Sequence, residues 1–156
     1  MKTGNRPAIL RFATLSRAEQ GLFLRAVCLL PIMACATAIF RWQKVQCWID
    51  GHYSRCSKTE DANGVDASVI ERMVFSAARY GIVGGNCLSR SLTLCCLFKR
   101  AGFNASLRLG GRRQGQSFEA HAWVELDGRS LDDPDDIHEP FTPFSIHLTN
   151  ELTSQK

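Results

Sequence analysis

Residues 84–102 read Gly-Gly-Asn-Cys-Leu-Ser-Arg-Ser-Leu-Thr-Leu-Cys-Cys-Leu-Phe-Lys-Arg-Ala-Gly. The stretch is helix punctuation around one reactive residue. Asn86 is a good N-cap, Cys87 falls in the first turn, Lys99 and Arg100 suit the C-terminal dipole, and Gly102 supplies the exit. A thiol in the first turn meets the positive end of the dipole and N–H groups with no acceptor in the helix. Both favour negative charge on sulfur. The glycines before it let a substrate backbone come close, and the Cys87 N–H is placed to receive a developing oxyanion. The competing reading is a small buried hydrophobe, which is how Cys95 and Cys96 read in the same helix.

Past Gly102 the apolar period changes from helical to two. Ala105 to Leu109 predicts a strand, Gly110 to Ser117 a loop, and Phe118 to Leu126 a second strand. Phe118, Ala120, Ala122, Val124 and Leu126 share one face of that strand; Glu119, His121, Trp123 and Glu125 share the other. Asp127-Gly128 is a hairpin turn, Arg129 to Asp133 a returning strand, and Phe141 to Ile146 has short strand character.

Upstream, Ser16 and Glu19 form a capping box ahead of the apolar run Ala26 to Phe40, in which Pro31 predicts a kink or split. Asp50 to Gly64 turns polar and reads as a linker. A further helix runs from Asp66, its N-cap, to Tyr80, with Val65 and Ile70 as a hydrophobic staple and Gly81 as its stop. Helices, then a helix opening on cysteine, then an antiparallel sheet carrying a histidine make an α+β arrangement. Residues 1–50 read as an N-terminal helical region and 65–150 as the core, one compact domain overall.

The 156 residues suffice for one domain that buries roughly two-thirds of its unfolded surface. The net charge of +4 comes without a dense Lys/Arg block, which argues against nucleic-acid binding. Seven cysteines without repeated spacing or a Cys-x-x-Cys pair argue against a disulfide framework and a structural zinc. No metal and no cofactor is expected, and the chain reads as reduced and cytoplasmic. The fifteen residues of Ala26 to Phe40 would span only about 22 Å of helix, short of a hydrocarbon core of about 30 Å, so membrane contact is not expected.

Among the histidines, His121 alone lies mid-strand, where a general base could meet the start of the Cys87 helix; His52, His138 and His147 lie in linker or tail. A satisfied structural histidine is the bland alternative. A third group should orient the imidazole, and turn geometry bears on which aspartate supplies it. A two-residue turn at Asp127-Gly128 pairs Trp123 with Asp132, diagonally beside His121. A three-residue turn pairs His121 with Asp133. Both remain open on the residues alone.

The runs Cys87-Leu-Ser-Arg-Ser-Leu92, Leu97-Phe-Lys-Arg-Ala-Gly102, Phe118-Glu-Ala-His-Ala-Trp-Val-Glu125 and Asp127-Gly128 resemble the lasso peptide biosynthesis B2 proteins. These are leader peptidases with a transglutaminase-like, papain-related fold. The resemblance extends over about Leu10 to Phe144 and implies a cysteine peptidase. The family's cysteine falls on Cys87 and its histidine on His121. Its aspartate, in a segment like Val-Leu-Asn-Asp, falls on Asp133. Ser130 replaces a usual apolar residue, and Gly110-Gly-Arg-Arg113 stands where Gly-Val-Arg is common. The resemblance further implies a precursor peptide bound through its leader, a separate leader-recognition protein of the B1 type, and a lasso cyclase that closes the ring. Trp123 could line the pocket for the residue before the cut or serve packing. Alternatives are an acyl transferase on the same fold and a non-catalytic docking module.

Overall fold

In the computed structural model, which describes residues 15–53, 66–81, 85–114, 117–131 and 142–143, helix α1 (Arg17–Ile39) begins at the capping box. Glu19 N–H donates to Ser16 Oγ (3.3 Å), and Ser16 N–H donates to Glu19 Oε2 (2.8 Å). Those bonds, with an ion pair to Arg72, hold the Glu19 carboxyl below its ordinary pKa. Pro31 does not split the helix, which continues to Ile39. Ala26, Leu30 and Met33 are buried on both sides of the proline, and that packing holds a helix through one missing hydrogen bond. The resulting 23 residues make a rod of about 34 Å that begins well ahead of the apolar run Ala26 to Phe40.

Helix α2 (Trp42–Tyr53) takes up the start of the stretch expected to be linker. Val45 and Ile49 are buried, Tyr53 packs beside them, and Asp50 pairs with Lys99 at 3.0 Å. The rest of that stretch, including Val65 of the proposed staple, lies outside the described residues. Helix α3 (Ala67–Tyr80) has Asp66 as its N-cap, accepting the Ser68 N–H at 3.2 Å. Gly81 ends it in an extended conformation (φ −76°), its N–H on the Ala77 carbonyl. Glycine is needed there because a Cβ would overlap that same carbonyl oxygen.

Helix α4 (Cys87–Arg100) starts at Asn86 as expected and ends in a Schellman motif. Gly102, left-handed at φ 82°, donates to the Lys99 carbonyl (3.0 Å), and Phe103 N–H reaches the Phe98 carbonyl (2.9 Å). The Phe98 and Phe103 rings meet edge to face at 5.6 Å, the apolar contact that accompanies this cap.

The sheet has strands β1 (Ala105–Gln114), β2 (Ser117–Leu126), β3 (Arg129–Leu131) and β4 (Thr142–Pro143) in the order β3-β2-β1-β4. Strand β1 corrects the loop expected from Gly110, because its ladder with β2 is unbroken from Ala105↔Leu126 to Gln114↔Ser117. Gly110 and Gly111 are held between β2 and β4, and Arg112 bridges to Glu119 at 2.7 Å. Paired neighbours on both sides override the weak strand propensity of two glycines. Strand β4 falls within the Phe141 to Ile146 segment that had short strand character.

Helix α4 is common to both parts of the core. Leu94, Cys95, Leu97 and Phe98 join Ala26 and Leu30 of α1, Ile70 and Val74 of α3, and Ala105, Val124 and Leu131 of the sheet. Leu92 and Cys96 join Met33, Val45, Ile49, Leu107 and Ala122. Each fully buried Val, Leu, Ile, Phe or Met among these contributes about 1.5–3 kcal/mol. Cys95 and Cys96 are buried thiols, as the sequence suggested, and burial raises both pKa values, that of Cys95 to about 11.

A group whose pKa is raised by folding adds stability that is lost as pH rises from its unfolded to its folded value. For Cys95 that window runs from 9.0 to about 11. The thermal midpoint is therefore expected to fall across it, and Cys95→Ala to blunt the fall while lowering the neutral-pH midpoint. An equal alkaline fall in the variant would show that the thiol is not responsible.

Candidate active site

The local sequence presents Cys87 at the tip of the core helix. Gly85 is left-handed (φ 64°), and a Cβ on it would overlap Ser89 Oγ, so the turn into the helix requires glycine. Asn86 Oδ1 then accepts the Ser89 N–H at 2.8 Å, and the Asn86 carbonyl accepts from Arg90 N–H and Ser89 Oγ, both at 3.0 Å. The cap thus satisfies the third N–H of the turn. The N–H groups of Cys87 and Leu88, the first two of the helix, have no acceptor within it. Cys87 is half-buried at this end, whereas Ser91 to Phe98 are buried throughout. Cys28, Cys35 and Cys47 are exposed free thiols without this setting at a capped helix start.

His121 lies in the middle of β2, opposite Gly110 of β1, and is 7% exposed. Its cross-strand partner brings no side chain to the shared face. Its neighbour on that face is Trp123, whose ring stacks on the imidazole with centroids 6.2 Å apart and planes 16° from parallel. Trp123 is only 6% exposed, so it presents little surface to a ligand and much to the histidine. Glu119 and Glu125 share this face too, and each is bound to an arginine of β1: Glu119 to Arg112 at 2.7 Å and Glu125 to Arg108 at 2.8 Å.

Helix α4 and strand β2 are fastened to each other one helical turn from Cys87 and one residue from His121. Ser91 Oγ donates to the Ala122 carbonyl at 2.8 Å, in a site buried from water. Ser91 stands one helical turn after Cys87 on the same face, and Ala122 is the residue next to His121. Cys87 itself packs against the cluster that contains Ala122 and Leu92. The first turn of α4 and the middle of β2 are therefore in register through a directional bond as well as through apolar contact. Sequence reasoning passed over Ser91. Its signal was a hydroxyl four residues after the cysteine in an otherwise apolar helix face.

The hairpin after β2 has the two-residue turn. Leu126 pairs with Arg129, Glu125 with Ser130 and Val124 with Leu131, and both Asp127 (φ 50°) and Gly128 (φ 80°) are left-handed, as a type I′ turn requires. The three-residue turn that would have paired His121 with Asp133 is not formed. Asp132 and Asp133 themselves lie outside the described residues. The support for Asp133 over Asp132 thus comes from the motif resemblance alone.

The family model of the Transglutaminase-like superfamily matches residues 25–145, and the chain belongs to that superfamily, which includes cysteine peptidases and acyltransferases. Comparison with curated proteins and with solved structures gives no match.

Ser91→Ala would leave a buried carbonyl without its donor, a loss of about 1–3 kcal/mol in urea unfolding. Ser91→Thr keeps the hydroxyl and is expected to recover part of it. Gly85→Ala is expected to cost more than about 1 kcal/mol, because the φ and the Ser89 contact both oppose a side chain.

Proposed function

We propose that the protein is a cysteine endopeptidase that removes the leader from a ribosomally made lasso peptide precursor, with Cys87, His121 and Asp133 as its triad. The observation that carries the reading is the bond from Ser91 to the Ala122 carbonyl, which ties the Cys87 turn to the His121 strand. The motif resemblance supplies the substrate class.

In this mechanism Cys87 Sγ attacks the carbonyl at the leader–core junction while His121 takes the thiol proton. The oxyanion is received at the helix start, where the Cys87 and Leu88 N–H groups point out of the helix. His121 then protonates the leaving amine, and the core peptide departs with its new N-terminus. Water, deprotonated by His121, attacks the acyl-enzyme and frees the leader with a carboxylate. Glu119 and Glu125 are committed to arginines. The motif resemblance assigns the orienting carboxylate to Asp133, with Asp132 as the alternative. Trp123 holds the imidazole plane by stacking. The leader reaches the site through a separate recognition protein of the B1 type, and a lasso cyclase takes the freed core.

The fold equally accommodates an amine as acyl acceptor, which would make the enzyme a transferase. Incubation of full-length protein with precursor and recognition protein separates the two by product mass: free leader and core for hydrolysis, an amine adduct for transfer. Cys87→Ala and His121→Ala are each expected to lower release at least about 1000-fold. Asp133→Asn is expected to lower kcat more than Asp132→Asn does. Leader release by Cys87→Ala at the normal rate would remove the nucleophile from the mechanism and favour a docking role.

A further inference from the structure

Helix α1 uses only part of its circumference. Ala26, Leu30 and Met33 face the core, and 17% of its most apolar eighteen-residue window is buried, at a mean hydropathy of 2.1. On the outer side Leu24, Cys28, Ile32, Cys35 and Ile39 follow one another at spacings of three and four, and all are exposed. Leu24 is 54%, Ile32 57% and Ile39 74% exposed. The row continues at the helix end into Phe40, 55% exposed. Such a continuous apolar stripe of about 22 Å marks an interaction surface and not scattered surface leucines.

Its borders are basic. Arg17 and Arg25 are exposed near one end, Arg41 and Lys44 near the other. The described parts of α1 and α2 carry two acids, Glu19 and Asp50, and these pair with Arg72 and Lys99. Four cations around an apolar row complement a surface that is apolar below and anionic on top, which is the boundary of an anionic bilayer. The helix is long enough to cross a membrane, yet crossing would pull Ala26 and Leu30 out of the cluster that holds Phe98 and Val124. The packing allows it to lie along the surface only. The Cys87 site is left clear, since it is Leu30, on the opposite side of α1, that approaches Gly85.

We propose that the outer stripe of α1 docks the enzyme on anionic membrane surfaces, with Leu24, Ile32 and Ile39 at the acyl boundary and Arg17, Arg25, Arg41 and Lys44 at the headgroups. The expectation against membrane contact came from the length needed to cross a bilayer, and a helix that lies along the surface does not need that length. The proposal is independent of the peptidase reading, because it concerns binding alone.

The test is co-sedimentation of the full chain with vesicles of equal parts phosphatidylglycerol and phosphatidylcholine, and with vesicles of phosphatidylcholine alone. Binding is expected to the anionic vesicles, at least about 10-fold stronger than to neutral ones, and to weaken in high salt. Leu24→Asp with Ile32→Asp is expected to abolish it while leaving the circular dichroism spectrum and thermal midpoint near wild type. Equal or absent binding to both vesicle types overturns the proposal. So does unchanged binding by the folded double variant, or a stripe whose substitution only dissolves a self-associated species in sedimentation velocity.

Discussion

Helix α4 is enclosed on every side. Residues Ser91 to Phe98 are buried without a break, between α1, α3 and the sheet in one cluster and α1, α2 and the sheet in the other. A helix buried all round has no solvent face on which to slide or rotate. Its N-terminal turn is therefore fixed as firmly as the core is, and that turn bears Cys87. Ser91 of this helix reaches into β2 by a directional bond. Apolar packing sets how close helix and strand lie. The hydroxyl sets how far one is displaced along the other, because a buried carbonyl without its donor is costly.

How much of this the sequence disclosed follows from the range of each interaction. Punctuation that acts within one turn was legible: the box at Ser16, the caps at Asp66 and Asn86, and the glycine exit at Gly102 all form as their side-chain chemistry requires. Readings that depended on distant neighbours were less secure. Gly110 and Gly111 look like loop until β2 and β4 are set on both sides of them. Pro31 looks like a break until the residues around it are seen anchored in the core. The last turn of α2, from Asp50, was obscured because it is steadied by Lys99 of another helix.

The candidate site divides in the same way. Cys87 and His121 stood out because each occupies a position with meaning in its own element: the first turn of a helix, the middle of a strand. Trp123 was left between two roles, and its stack on His121 accounts for the small surface it exposes. Ser91 was missed, since its partner is a backbone carbonyl that no side-chain pattern announces. The third acid was tied to turn length. Asp127 and Gly128 in left-handed conformation make the shorter turn, which removes the pairing of His121 with Asp133 as an argument.

The ten unbroken pairs between β1 and β2 bring a parity to the molecule. Successive side chains in a strand point to opposite faces, so one residue added or removed between Phe118 and Ala120 would exchange the faces of His121 and Ala122. The imidazole would then point into the core and an alanine would take its place. The same residue added between Gln114 and Ser117, beyond the last pair, would leave every face as it is. Added length is therefore expected to be tolerated at that end of the hairpin and to disturb the placement of His121 a few residues away. For an engineer that end is where a peptide tag can be spliced in.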